Sequence, residues 1–472
     1  MILYYLSTYV SLVASVLFIL ALRGLSSAQT SVNGNRFGIA GMAIALLGMQ
    51  MPIYFANLDI SLTPVLMKVL VVALSGGLIG YVIAKKVNMT ALPQLLAGFH
   101  SLVGLAAVFI SLASFFCIYG LSSVNHDNMR ALEMVLGAVI GAITFTGSVV
   151  AFGKLQGIIS GKPWRFKGQR QINIILGGCL IALIIAFVIK QTPELLIQAI
   201  VLSFVIGYLL IMPIGGADMP VVISMLNSYS GWATVGIGFS ASNGLLVIVG
   251  ALVGTSGAIL SHIMCKGMNR SLVKVIFGSF SSQKDIANRH EEQTQRNVKL
   301  CSPEDAGFIL QNASSVIIVP GYGMAVAQAQ HVIKELADKL KSAGISVKYA
   351  IHPVAGRMPG HMNVLLAEAN IPYEDVFELD DINHEFGQTD VAIVIGANDI
   401  TNPAAKDDPA SPIYGMPVLD VEKAGTVLFI KRSLGSGYAG IENQLFYREN
   451  TMMVLGDAKK VCEEVAKSMQ NS

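Results

Sequence analysis

The sequence predicts an α-helical polytopic membrane bundle of about nine spans, followed by a C-terminal α/β domain built on a parallel sheet. Three observations carry this. Of the 472 residues, 53% are hydrophobic and only 13% charged, against about 45–50% and about 25% in soluble domains. Charge is sparse over residues 1–265 and reaches ordinary globular density from Lys266 onward. Beyond residue 312, β-branched apolar runs alternate with amphipathic stretches, the pattern of βαβ units. The chain is therefore expected to divide into a membrane domain over 1–265, a linker over 266–312 and a soluble domain over 313–472.

Crossing ~30 Å of hydrocarbon takes about 20 apolar residues. Nine stretches qualify: 2–22, 37–56, 65–84, 92–119, 132–153, 172–190, 194–214, 219–239 and 242–264. The first has neither a basic leading segment nor a small-residue cleavage site, so it reads as a span and not as a signal peptide. With the tail inside, the inner loops carry Arg23, Arg36, Lys85, Lys86, Lys154, Lys162, Arg165, Lys167 and Arg170, and the outer ones only Lys68, Arg130 and Lys190. That bias is the one expected when the inner side is cytoplasmic or equivalent.

The linker is polar and patternless, with charges concentrated between Arg289 and Arg296. After it, strands are expected at 315–319, 346–351, 390–395, 426–430 and 451–455. Helices are expected at 325–341, stopped by Gly344, then at 362–369 and 457–469. The net charge of +2 and the absence of a Lys/Arg run interleaved with aromatics argue against nucleic acid. Five cysteines without a C-x-x-C pair indicate neither a metal site nor a disulfide framework.

Directly after the first expected strand stands Gly321-Tyr322-Gly323-Met324-Ala325-Val326. A glycine pair at a strand-to-helix turn lets backbone N–H groups approach a pyrophosphate, so the domain is expected to be Rossmann-like. The third glycine of the fingerprint is replaced by Val326, and a turn serving packing alone is the plainer alternative. An NAD site wants a carboxylate at the end of the second strand, but that strand runs into Tyr349-Ala350-Ile351-His352-Pro353. A 2′-phosphate wants fixed cations. Lys431-Arg432 follow a strand and lead into Ser433-Leu434-Gly435-Ser436-Gly437-Tyr438, which favours NADP(H), although a solvated strand end would look alike.

Two more loops lie at strand ends, where open α/β sheets bind ligands. Val354-Ala355-Gly356-Arg357-Met358-Pro359-Gly360 offers Arg357 to a phosphate. Gly396-Ala397-Asn398-Asp399 places a carboxylate beside a polyanion, which would raise the pKa of Asp399 and let it take up protons; an Asp turn ahead of Pro403 is the bland reading.

These residues closely resemble the NADP-binding domain of proton-translocating transhydrogenase: Gly321 to Val326, Arg357-Met358-Pro359-Gly360-His361-Met362-Asn363, Gly396 to Asp399, and Lys431 through Gly440. In the membrane part, Leu92 through Ser101 and Gly215 through Trp232 are similar to the same family's β subunit. The likeness covers essentially the whole chain, and the family's own motif is degenerate at the Val326 position. It implies hydride transfer from NADH to NADP⁺, driven by protons moving into the cytoplasm or matrix and reversible. NAD(H) then sits on a separate domain, supplied by a partner α subunit with a few more helices, because this chain has one fingerprint. It further implies a dimer of α–β units in a bacterial inner membrane, with the NADP(H) domain cytoplasmic.

Hydride passes directly between two nicotinamides, so no catalytic acid or base is expected. What remains is coupling, and ionisable groups inside spans are its first candidates. His100 has the pKa class for proton exchange. Asn227, beside Ser228 and Tyr229, can hold water or bond across helices. Ser148, near Thr144 and Thr146, offers a polar face or only helix packing. Asp218 is read either as a link to the nucleotide domain or as a helix cap. The rival function is an ion transporter with a regulatory nucleotide-sensing C-terminal domain; it would want a filter or a charged mid-membrane site, and none is visible in the sequence.

Overall fold

The computed structural model describes residues 2–25, 30–56, 63–119, 128–161, 163–215, 218–269, 271–272, 275, 298–358, 360–409, 411, 413–435, 437 and 441–469. Among the described residues, nine long helices precede the sheet: α1 (Ile2–Leu25), α2 (Ser31–Ala56), α3 (Thr63–Lys86), α4 (Leu92–Tyr119), α5 (Asn128–Leu155), α6 (Gln169–Lys190), α7 (Pro193–Ile211), α8 (Met219–Ser240) and α9 (Gly244–Gly267). Six of these, α3 to α7 and α9, contain segments long and apolar enough to cross a membrane. Helix α8 is not among them; it carries Ser224, Asn227, Ser228 and Ser230 along its length.

The chain forms two compact units. The first gathers Met1–Phe152, Phe166–Leu209 and Leu226–Gly257. Its helices approach at glycines: a Cβ on Gly104 of α4 would lie 2.5 Å from the Gly141 carbonyl of α5, and one on Gly231 of α8 would lie 2.2 Å from the Gly254 nitrogen of α9. Such backbone proximity is how helices associate where lipid removes the hydrophobic drive. Ser228 Oγ donates 2.7 Å to the Gly254 carbonyl, a polar tie across the same α8–α9 contact. Phe115, Met134, Phe187 and Leu196 fill the space between α4, α5, α6 and α7.

The second unit gathers Gly153–Arg165, Leu210–Met225 and Ala258–Ser472. Its sheet has β1 (Ser315–Pro320), β2 (Ser346–Ile351), β3 (Val376–Glu378), β4 (Val391–Ile395), β5 (Thr426–Lys431) and β6 (Thr451–Leu455), all parallel, in the order β3-β2-β1-β4-β5-β6. All five residues of β4 are buried, as a strand covered on both faces requires. Before the sheet, α10 (Pro303–Gln311) starts from Ser302, whose Oγ accepts the Asp305 N–H. Helix α11 (Tyr322–Val326) follows β1, then α12 (Gln330–Ser342), which buries Val332, Ile333, Leu336, Ala337 and Leu340 on one face. After α13 (His361–Glu368), the chain closes with α14 (Ala458–Ser468), capped by Asp457 and packed on α10 and α12.

Three details differ from the sequence reading. The helix expected over 325–341 is two helices, because Gln328 adopts a left-handed φ of 50° that breaks the turn between them. A sixth strand, β3, is three residues long and sits at the sheet edge beside β2, too short to carry an alternating pattern. Lys154, grouped with the loop cations, lies instead in the last turn of α5 with its side chain buried. Lys162 and the linker residues 276–297 fall outside the described residues.

Candidate functional site

The C-terminal ends of β1, β4 and β5 are lashed together by their own backbones. Gly321 N–H donates to Ile395 O at 2.9 Å, Gly323 N–H to Gly396 O at 2.8 Å, and Gly396 N–H to Ile430 O at 3.1 Å. β1 sits between β2 and β4, so the chain leaves this point in opposite directions along the sheet, which opens a crevice. The close approach needs glycine: a Cβ on Gly323 would fall 2.6 Å from Gly396 Cα, and Gly396 itself has φ +63°.

A cavity of about 500 Å³ opens over these turns, within the usual range for a small-molecule site. Gly321, Tyr322, Gly323 and Val326 line it on one side, and Gly396, Ala397, Asn398 and Asp399 on another. The loop after β2 contributes Val354, Ala355, Gly356 and Arg357, and the loop after β5 contributes Lys431, Arg432, Ser433 and Gly437. Three cationic side chains thus border one cavity.

Each cation is held differently. The Lys431 ammonium donates to Gly435 O and lies 4.9 Å from the centre of the Phe446 ring. Burial pushes it below the ordinary lysine range, and Asp399 pulls it part of the way back. Arg432 Nη2 donates 3.1 Å to Asp457 Oδ2 while staying exposed. Arg357 stacks 4.4 Å from the centre of the Tyr322 ring, and its Nη1 donates 2.8 Å to Leu155 O.

Behind the turns, buried polar groups fix the backbone. Asn443, fully buried, donates to Asn398 O at 3.0 Å and accepts the Leu445 N–H at 2.9 Å. The Asn398 side chain, in contrast, has neither its Oδ1 nor its Nδ2 in a hydrogen bond among the described residues, although both atoms are buried. A buried amide without partners costs free energy unless something completes it. His352 Nδ1 accepts the Val354 N–H at 3.2 Å, which leaves its Nε2–H to donate to Pro417 O at 2.7 Å. His361 Nδ1 accepts the Arg357 N–H at 3.1 Å under Gly356, whose φ is +104°. Desolvation holds both imidazoles neutral, each down to about 4, with the Arg357 charge adding to the effect at His361.

Several expected positions do not line the cavity. Met324 and Ala325 are fully buried beneath the turn, Met358 is buried in its loop, and Gly435 contributes its carbonyl to Lys431. Pro359, Ser436 and Tyr438 lie outside the described residues. The cavity also takes Ile400, next to Asp399 in the loop after β4, and Pro220, Met268, Ile413, Met416 and Ala458, which the sequence reading missed. They come from segments far apart in the chain and are apolar, so no local motif marks them.

In the first unit, His100 is buried on α4, and the Asn227 side chain of α8 lies within its hydrogen-bonding reach. Ser148 is buried on α5, and its hydroxyl has no hydrogen-bond partner among the described residues. Thr144 and Thr146 instead return their hydroxyls to the carbonyls of Ile140 and Ala142 on their own helix. Asp218, which belongs to the second unit, precedes α8, and its N–H donates 3.1 Å to Gly215 O. All five cysteines are free thiols, and Cys462 is pushed up to about 12 by burial, which leaves it inert. No cluster of metal-ligating side chains occurs among the described residues.

Residues 7–468 match the family described as NAD(P) transhydrogenase beta subunit. The chain is 60% identical over 461 residues to the NAD(P) transhydrogenase subunit beta of Rhodospirillum rubrum, covering 97% of this chain and 98% of that protein. A second sequence of the same name, from a designated strain of that organism, is similar to the same extent.

Proposed function

Because this chain belongs to the NAD(P) transhydrogenase beta-subunit family, we propose that its C-terminal domain binds NADP(H) in the cavity at the ends of β1, β4 and β5, while a partner α subunit brings NAD(H). The family is one of oxidoreductases that couple hydride transfer to proton translocation, and the chain is a membrane protein. We divide it into a transmembrane proton-translocating domain over 1–265, a linker over 266–312 and the NADP(H)-binding domain over 313–472. All nine long helices are read as spans. The α/β domain is read as Rossmann-like, since its strand order is that of dinucleotide-binding sheets.

The residues fit the cofactor. The carrying observation is the combination of three cations around one cavity with a β2 end, Ile351-His352-Pro353, that offers no carboxylate to a ribose hydroxyl. The Asn398 amide supplies a buried donor and acceptor with no partner in the described protein. Lys431 and Arg432 would hold the 2′-phosphate, and Ser433, Gly435, Ser436, Gly437 and Tyr438 are assigned to the same subsite. The turn from Gly321 to Val326, whose Gly321 and Gly323 N–H groups tie it to the end of β4, would bring its backbone close to the pyrophosphate, with the Val354 to Pro359 loop including Arg357 beside it, and Gly396 to Asp399 would take the nicotinamide half. The bound nucleotide supplies the hydride chemistry; the chain orients it and keeps water out.

In the membrane domain, His100 takes and releases the proton, Asn227 orients it, and Ser148 extends the polar path; Asp218 and Asp399 link that path to the nucleotide domain. The complex is read as a dimer of α–β units in a bacterial inner membrane, with the NADP(H) domain in the cytoplasm. Reconstituted vesicles of the chain with its α partner test this: an imposed proton gradient should accelerate hydride transfer from NADH to an NADP analogue, and an uncoupler should abolish the acceleration. Gradient-independent transfer would contradict the reading.

A further inference from the structure

Lys154 ends α5 with a buried ammonium, only 6% of the residue being exposed. An ammonium has three N–H groups, and Lys154 Nζ donates to three backbone carbonyls: Ile211 O at 3.1 Å, Met212 O at 2.6 Å and Ile214 O at 2.8 Å. These carbonyls belong to the end of α7 and the residues just after it, where helix carbonyls lack partners and the helix dipole is negative. The cation from one helix therefore caps another. Met212 O also accepts the Trp164 N–H at 3.1 Å, so the segment after α5 is stitched to the same point.

The neighbouring residue makes the second contact. Leu155 O accepts Arg357 Nη1 at 2.8 Å, from the loop that lines the cavity. Lys154 and Leu155 are adjacent, with Cα atoms about 3.8 Å apart, so the two contacts meet at one point of the backbone. From Ile214 the chain reaches Asp218 and Pro220 at the start of α8, and Pro220 lines the cavity again. A closed circuit results: cavity, Arg357, the α5 end, the α7 end, the α8 start, cavity. Helix α8 carries Asn227, beside His100.

We propose that Lys154 is a positioning residue for proton-coupled hydride transfer, joining the end of α7 to the end of α5 where the Arg357 loop docks, so that movement of that loop with NADP(H) reaches α8. This deepens the reading of the preceding section and rests on it. Lys154 is not among the residues lining the cavity; it acts through the backbone it holds. A neutral, apolar residue here would leave those carbonyls without the donors Lys154 gives them; what separates positioning from mere anchoring is the gradient response at unchanged NADPH affinity.

The test uses the full chain assembled with its α partner in vesicles, with three measurements on the unsubstituted, Lys154→Met and Lys154→Arg complexes. In Lys154→Met, the ratio of turnover with a proton gradient to turnover without one should fall about tenfold, while the NADPH dissociation constant stays within about threefold. Lys154→Arg keeps a cation with several donors and should recover at least about half of the gradient response. In the unsubstituted complex, NADPH should change hydrogen exchange of the Trp164 and Asp218 amides, a readout that survives even if the Met variant does not assemble. An unchanged gradient response in Lys154→Met, or exchange at both amides indifferent to NADPH, would overturn the inference alone. Failure of the unsubstituted complex to bind NADPH would overturn the functional reading beneath it as well.

Discussion

Gly396→Ala separates packing from conformation at the nucleotide turn. Gly396 has φ +63°, and an alanine Cβ there would lie 2.4 Å from Gly323 Cα, 2.6 Å from Gly323 C and 2.6 Å from Met324 N. The left-handed conformation costs alanine about 1–2 kcal/mol. The contact is backbone against backbone, so no side chain can swing aside, and overpacking of this kind adds about 1–3 kcal/mol. The turn must then move by several tenths of an ångström, which misplaces the Gly321 to Val326 amides. Since 1.4 kcal/mol is tenfold, a loss of about 2 kcal/mol in binding corresponds to a roughly 30-fold weaker NADPH complex. Gly344→Ala is the control: its φ is +84°, but nothing lies within 4 Å of the new Cβ. It should cost about 1–2 kcal/mol of domain stability and leave NADPH affinity unchanged. Calorimetric titration of both variants with NADPH, beside denaturant unfolding of each, measures the two effects separately. Unchanged NADPH affinity in Gly396→Ala would refute the assignment of this turn to the nucleotide.

Three further outcomes are expected. Replacing His100, buried against Asn227, by glutamine should reduce gradient-driven turnover at least about tenfold while leaving NADPH binding intact; normal proton pumping by this variant would sink the relay assignment. His352 is neutral down to about 4 in the folded chain, against an ordinary 6.5, so its stabilisation is complete above pH 6.5 and is lost as pH falls toward 4, by about 3 kcal/mol. Denaturant unfolding at pH 7.5, 5.5 and 4.5 should show that decline, and a His352→Gln chain should show a shallower one; parallel slopes would contradict it. Exchanging both Lys431 and Arg432 for alanine should weaken NADPH at least about 100-fold, from charge-assisted hydrogen bonds worth roughly 1.5–3 kcal/mol each, without weakening NADH, as paired titrations would show.

Long-period signals in the sequence translated well into structure. Each of the nine apolar stretches falls within or overlaps a long helix, because twenty consecutive apolar residues leave few alternatives. Five of the six strands were legible from their β-branched runs; β3 was not, since three edge residues carry no periodicity. The glycines and cations that border the cavity were legible because strand-end turns need glycine and the basic residues stand directly after strands. What escaped depended on tertiary context. Gln328 breaks a helix where glycine or asparagine would be the usual sign. Pro220 and Met268 join the cavity from positions 95 and 47 residues before the start of β1 at Ser315, and nothing local marks them. Lys154 looks like any loop lysine until the three carbonyls that surround it are known.

A cavity bordered by Lys431 and Arg432 should select a 2′-phosphorylated dinucleotide. Calorimetric titration of the purified full-length chain with NADPH and with NADH tests it most directly. NADPH should bind at least about 100-fold more tightly, the value expected if two charge-assisted contacts contribute about 3 kcal/mol. Equal affinity for the two nucleotides, or a preference for NADH, would contradict it.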